Sequence, residues 1–155
     1  MSGAIVILRD PLERWVSGFA TYAASWICSA GYGSDHFVQD YTPLVERIIF
    51  DQIVFDDHTT EQVKFIEQIN KRHHITYFRL NSNLEKNLEN FFNRKFDLNN
   101  AIERNVGEDV YDTKNIANYL RDRLQQDPQL KAKIIKRYEI DYQLIRTANY
   151  YYEPR

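Results

Sequence analysis

Arg9 is the first residue whose position suggests chemistry. It follows an unbroken apolar run, Ile5-Val6-Ile7-Leu8, and precedes Asp10-Pro11, a pair suited to starting a helix. A strand that stops where a helix begins places the Arg9 cation at the strand's carboxyl end and beside a helix N-terminus. Both features favour an anionic ligand. The same residues also admit a structural use, with Arg9-Asp10 as a helix-start ion pair and Ser17 as a solvated helix residue. A second stretch, Asp56-Asp57-His58-Thr59-Thr60-Glu61-Gln62, sets a histidine among carboxylates, and such a ring can hold a sulfate or a sugar hydroxyl. It reads equally as a polar loop whose Asp and Thr side chains cap turns. His73-His74 invites a metal, but adjacent residues of a strand point to opposite faces, and no Cys or third ligand stands at metal spacing. No metal is therefore expected. The lone Cys28 excludes an internal disulfide, and its place beside Ile27 on an apolar face suggests a buried small hydrophobe, not a nucleophile.

The elements that must position these residues follow from periodicity. Residues 5–8 have the continuous apolar character of a strand buried on both faces, as in a parallel sheet covered by helices. Asp10 then serves as N-cap, Pro11 as first helical residue, and Glu13 stands where a capping-box carboxylate reaches back. Leu12, Trp15, Val16, Phe19, Tyr22, Ala23, Trp26 and Ile27 recur at helical spacing, with Arg14, Ser17 and Thr21 on the other side. Ser29-Ala30-Gly31-Tyr32-Gly33-Ser34-Asp35 is a loop by composition. Thr42-Pro43 opens a short amphipathic helix carrying Leu44, Val45, Ile48 and Ile49.

Residues 63–69 and 75–80 are rich in β-formers and are separated by the polar residues 70–74, which predicts two strands in a hairpin. A helix from Gln62 to Asn70 competes, because Val63, Ile66 and Ile69 also share a helical face. Ser82-Asn83-Leu84-Glu85 reads as a capping box for a helix with the stripe Leu84, Leu88, Phe91 and Phe92. Residues 97–112 are irregular. Ile116, Tyr119, Leu120 and Leu124 mark another helix, and Asp127-Pro128 restarts a longer one with Leu130, Ile134, Ile135, Tyr138, Tyr142 and Ile145. The Tyr150-Tyr151-Tyr152 tail is expected to pack back on the domain.

The opening motif, Arg9-Asp10-Pro11-Leu12-Glu13-Arg14-Trp15-Val16-Ser17-Gly18-Phe19, resembles the segment with which sulfotransferases grip the 3′-phosphate of their donor, 3′-phosphoadenosine 5′-phosphosulfate. The likeness is greatest to the carbohydrate branch of that family, and it implies that Arg9 and Ser17 contact the phosphate. Asp56-Asp57-His58-Thr59-Thr60-Glu61-Gln62 is similar to a later Asp-x-His-x-x-x-Gln segment of the same branch. His58 and Gln62 are then the implied residues on the acceptor side, although Thr59 and Glu61 stand where the family often has Trp and Pro. Arg104-Asn105-Val106-Gly107 loosely resembles a late segment that closes over the donor, and the stretch from Tyr138 to Ile145 resembles a structural Tyr-x-x-Asp-Tyr-x-Leu ending.

The resemblance implies an α/β, P-loop-NTPase-like sulfotransferase fold in incomplete form, with a small parallel sheet, a hairpin and a helix-rich C-terminal half. The family's earlier strand, phosphate loop and catalytic base have no counterpart in Met1-Ser2-Gly3-Ala4. The chain is thus expected to be the latter part of a family member, one domain over residues 1–155, with no catalytic residue inherited and activity as an isolated chain in doubt. The implied activity is transfer of a sulfuryl group to a hydroxyl of a carbohydrate. A non-catalytic nucleotide- or glycan-binding relative and an unrelated α/β interaction domain remain as alternatives.

Composition narrows the classes. With 43% hydrophobic and 27% charged residues in 155, the chain has the makings of one globular core. A net charge of −2 argues against general nucleic-acid binding, which needs a basic face. No apolar run approaches the ~20 residues of a membrane span, and the start lacks a signal-peptide pattern. The expected setting is cytoplasmic, or the Golgi lumen should the chain belong to a longer anchored protein. A sheet lacking its first strands is expected to favour self-association.

Overall fold

A computed structural model describes residues 3–29, 42–98 and 113–151. The segments 30–35 and 104–107 and residue Tyr152 lie outside the described residues, as do the side chains of residues 25–29, Cys28 among them. Two strands and seven helices are present among the described residues, so the protein is α/β and rich in helix. The chain divides into two compact units, one comprising Met1–Pro11, Glu61–Gly107 and Glu139–Arg155, the other Leu12–Thr60 and Glu108–Tyr138.

The first unit is built on a parallel strand pair. β1 (Gly3–Leu8) pairs with β2 (His74–Arg79) in a register that sets Gly3 opposite His74 and Leu8 opposite Arg79. A bridge from Tyr150 to Tyr77, with Tyr151 N donating to Tyr77 O at 2.9 Å, extends this sheet beyond β2. Burial along β1 alternates: Leu8 is fully enclosed, whereas Ile5 and Ile7 are 39% and 44% exposed. The expectation of a strand buried on both faces is therefore corrected. Side chains of alternate residues face opposite sides, and only the side of Leu8 is closed.

The predicted hairpin is also corrected. Residues Gln62–Asn70 form a helix, so the competing helical reading of that stretch is the one observed. Labels run in chain order: α1 is Pro11–Ser29, α2 is Thr42–Asp51, α3 is Gln62–Asn70, α4 is Leu84–Phe92, α5 is Thr113–Gln126, α6 is Pro128–Arg137 and α7 is Glu139–Thr147. Two causes make α3 a helix. Parallel strands need a crossover in place of a tight turn, and α3 directly precedes β2 while packing on both strands and on α7. Its first N–H groups also find a cap that lies far away in sequence. Asp141, on α7 and only 1% exposed, accepts from Gln62 N at 2.8 Å and Val63 N at 3.0 Å, satisfying donors that a helix start leaves open.

On β2, Phe78 joins Leu84 and Leu88 of α4 in a small core with Phe96, Leu98 and Tyr151 packed against it. Tyr151 thus packs back as expected, its ring 5.5 Å from Phe78 and 5.1 Å from Phe91. The capping box anticipated at 82–85 does not form. Asn83 makes no side-chain cap, and Glu85 instead accepts from Leu98 N at 3.3 Å while Glu89 accepts from Phe96 N at 3.1 Å. The two carboxylates pin the returning chain, a tertiary use that outcompetes the local one. Asn93, with φ 51°, ends α4 in the left-handed conformation that asparagine tolerates.

The second unit is helical. Trp15, Val16, Phe19, Ala20, Ala23 and Ala24 form the buried stripe of α1, and Val45, Ile49, Ile116, Leu120, Leu124, Ile134 and Tyr138 are also buried in this unit. Glu46 of α2 accepts from Arg123 Nε at 2.7 Å and from the Tyr119 hydroxyl, while Arg123 Nη1 reaches Asp127 at 3.1 Å. Glu13 pairs with Arg121 at 3.0 Å. Asp127 caps α6 through Leu130 N at 2.9 Å, with Pro128 as first residue, as its sequence predicts. The single long helix expected from Pro128 onward is broken at Tyr138 (φ −102°, ψ 20°), where the chain leaves one unit for the other.

Candidate functional site

Arg9 belongs to the first unit and directly follows β1. The ladder continues past the strand, since Leu80 N donates to Leu8 O at 2.8 Å. Arg9 itself is held by the side chain of Gln62. Its N–H donates to Gln62 Oε1 at 3.0 Å and its carbonyl accepts from Gln62 Nε2 at 3.0 Å. One amide side chain thereby satisfies both backbone groups of Arg9, as a neighbouring strand would. Gln62 is 8% exposed, and its own N–H is fixed by Asp141. The backbone of Arg9 is thus tightly determined. Its guanidinium is half-buried and has no ion-pair or hydrogen-bond partner among the described residues. Gln62, expected on the acceptor side, has its amide committed to Arg9.

Ser17 and His58 belong to the second unit. Ser17 is half-buried on α1, its carbonyl accepts from Thr21 Oγ1 at 3.0 Å, and its hydroxyl has no partner among the described residues. The next residue explains how His58 comes to this part of α1. A Cβ added at Gly18 would lie 2.8 Å from the His58 carbonyl carbon, 3.2 Å from its Cβ, and closer still to its carbonyl oxygen. Glycine is the only residue that lets the 53–60 segment lie this near the helix.

Several other residues of the opening motif secure the same segment. Arg14 donates to the carbonyls of Thr60 and, at 3.2 Å, Asp57, and Trp15 Nε1 donates to Ile53 O at 2.8 Å. Inside the segment Thr59 is fully buried, its hydroxyl accepting from Phe55 N at 2.8 Å and Asp56 N at 3.1 Å. The Tyr138 hydroxyl donates to Thr59 O. Asp56 closes the turn, with Oδ1 accepting from His58 N at 3.0 Å and Oδ2 lying 2.8 Å from His58 Nδ1. The polar-turn reading of the sequence thus describes the backbone here. The ring itself is exposed: 59% of the His58 side chain is accessible, with the Asp56 carboxylate at its Nδ1.

Of the four sequence candidates the structure joins Arg9 with Gln62 directly, while Ser17 and His58 belong to the same unit, with Gly18, the neighbour of Ser17, lying against the His58 backbone. Among the described residues no group of three or more His, Cys, Asp or Glu side chains could hold a metal ion. Sequence reading missed Gly18, Arg14, Trp15 and Asp141 as positioning residues. Gly18 carried a signal, because glycine within a helix costs about 1 kcal/mol relative to alanine and calls for a compensating reason. No family model matches this chain, and no characterised protein or solved structure matches it either.

Proposed function

We propose that this chain carries the donor-recognition part of a sulfotransferase-like protein, one that moves a sulfuryl group from 3′-phosphoadenosine 5′-phosphosulfate to a hydroxyl, with a carbohydrate as acceptor. The observation that carries this reading is the guanidinium of Arg9, without a partner among the described residues, at the carboxyl end of a parallel strand and on a backbone fixed by Gln62. Ligands of open α/β sheets bind outside the carboxyl ends of strands, and the start of α1 at Pro11 adds the partial positive charge of a helix N-terminus. In this reading Arg9 meets the 3′-phosphate and Gln62 acts through it, while Ser17 as a second phosphate contact and His58 on the acceptor side are what the resemblance of the motifs implies.

Calorimetric titration of the chain with adenosine 3′,5′-bisphosphate, the desulfated donor, tests the proposal. Saturable binding is expected. A charge-assisted hydrogen bond contributes roughly 1.5–3 kcal/mol, so Arg9→Ala should weaken binding about ten- to a hundredfold. Unchanged affinity removes Arg9 from the site.

A second reading has its own observation. Arg14, Trp15 and Gly18 all hold the 53–60 segment, which is what an α/β interaction domain would require of the same motif. That reading predicts no saturable binding of the bisphosphate.

A further inference from the structure

A second concentration of positive charge lies at the opposite end of the strand pair. α3 runs into β2 through Lys71-Arg72-His73, and the pairing of Gly3 with His74 puts this turn at the amino-terminal edge of the sheet. Arg9 follows the carboxyl-terminal edge, so six residues at about 3.3 Å each, or roughly 17–20 Å, separate the two. An open cavity of about 540 Å³ occupies the amino-terminal edge, lined by Lys71, Arg72, His73, His74, Ile75 and Tyr77 among others.

The turn is held firmly, since Arg72 N and His73 N both donate to Ile69 O, at 3.0 and 3.1 Å. Lys71, Arg72 and His74 are exposed, and their side chains have no ion-pair or hydrogen-bond partner among the described residues. Cations at a helix C-terminus stabilise the helix whatever else they do. That role does not explain why Ile75 and Tyr77 line the same opening as these cations. Both are half-buried, and burial pushes the Tyr77 hydroxyl pKa up, so the phenol stays a neutral donor. Cations around an opening with an aromatic and an aliphatic wall suit a ligand that is anionic at one end and cyclic at the other.

We propose that this cavity binds a small ligand carrying a sulfate or phosphate monoester on a ring, independently of Arg9. Lys71 and Arg72 meet the ester oxygens, and Tyr77 and Ile75 face the ring. The volume suits one or two rings, and a net charge of −2 disfavours a polynucleotide as the ligand.

The test is titration of the full chain with p-nitrophenyl sulfate and p-nitrophenyl phosphate, beside inorganic sulfate, inorganic phosphate and neutral p-nitrophenol. At least one ester should bind saturably and at least tenfold more tightly than its inorganic anion, and p-nitrophenol should not bind. The doubly substituted Lys71→Ala/Arg72→Ala chain should lose at least tenfold in affinity. Both side chains are exposed, so its thermal midpoint should stay close to the parent's, and Lys71→Gln/Arg72→Gln provides a second variant should alanine disturb the turn. Arg9→Ala should leave ester binding unchanged, which separates this site from the donor site. Equal affinity for the inorganic anions, undiminished binding by both double variants, or an oligonucleotide binding as tightly as the esters would each overturn the proposal.

Discussion

Gly18→Ala sets two physical effects against each other. Helix propensity alone predicts a gain of about 1 kcal/mol, since alanine replaces glycine within α1. Packing predicts the reverse. The new Cβ would stand 2.8 Å from the His58 carbonyl carbon and closer to its oxygen, so helix or turn must shift by roughly 1 Å to reach an ordinary contact of about 3.5 Å. The turn is ill placed to give way, because Arg14, Trp15, Thr59 and Tyr138 all bind its backbone. Overpacking of this kind costs about 1–3 kcal/mol, and straining the Arg14 and Trp15 hydrogen bonds adds about 1–2 kcal/mol. After subtracting the propensity gain, the expected loss is about 2 kcal/mol. For a chain of this size that lowers the thermal midpoint by roughly 4–8 °C. Thermal and urea denaturation followed by circular dichroism measure it. An unchanged or raised midpoint would show that the approach of His58 to α1 is loose, and would refute the account of the motif given above.

Asp141→Asn should destabilise the chain by about 1–3 kcal/mol in urea, because a buried carboxylate that accepts from Gln62 N and Val63 N is replaced by an amide able to accept at only one atom; an unaltered midpoint would count against the cap. Acid should weaken the second unit through Glu46. Burial pushes that carboxyl up, but the Tyr119 hydroxyl and the Arg123 guanidinium outweigh it and hold it below its ordinary value of 4.5. A folded pKa below the unfolded one contributes stability that is present above the ordinary value and is lost as pH falls through the folded one. Melting temperatures should therefore drop below about pH 4.5, and Glu46→Gln should flatten that drop; an identical acid profile in the variant would exclude Glu46 as a contributor.

The opening strand and helix, the helix begun by Thr42-Pro43 and the cap of α6 by Asp127 were all legible in the sequence. Each depends on neighbours within a few residues: an apolar run, a proline at a helix start, a side chain reaching a nearby N–H. The placement of a cation just after β1 was legible for the same reason.

What the sequence could not decide turned on partners distant along the chain. Residues 62–70 fit a strand or a helix by pattern, and the carboxylate of Asp141, 79 residues from Gln62, belongs to the helical outcome. Ser82 and Glu85 have the residue types and spacing of a capping box, yet Glu85 binds Leu98 N instead. Gln62 looked like a residue for a substrate, and in the fold its amide completes the backbone hydrogen bonds of Arg9. By itself the sequence determined where the local elements begin and which charged groups stand at their ends. Tertiary structure decided which of those groups are committed to holding the chain and which, like the guanidinium of Arg9, find no partner among the described residues, because a buried polar group must find its partner wherever the fold supplies one.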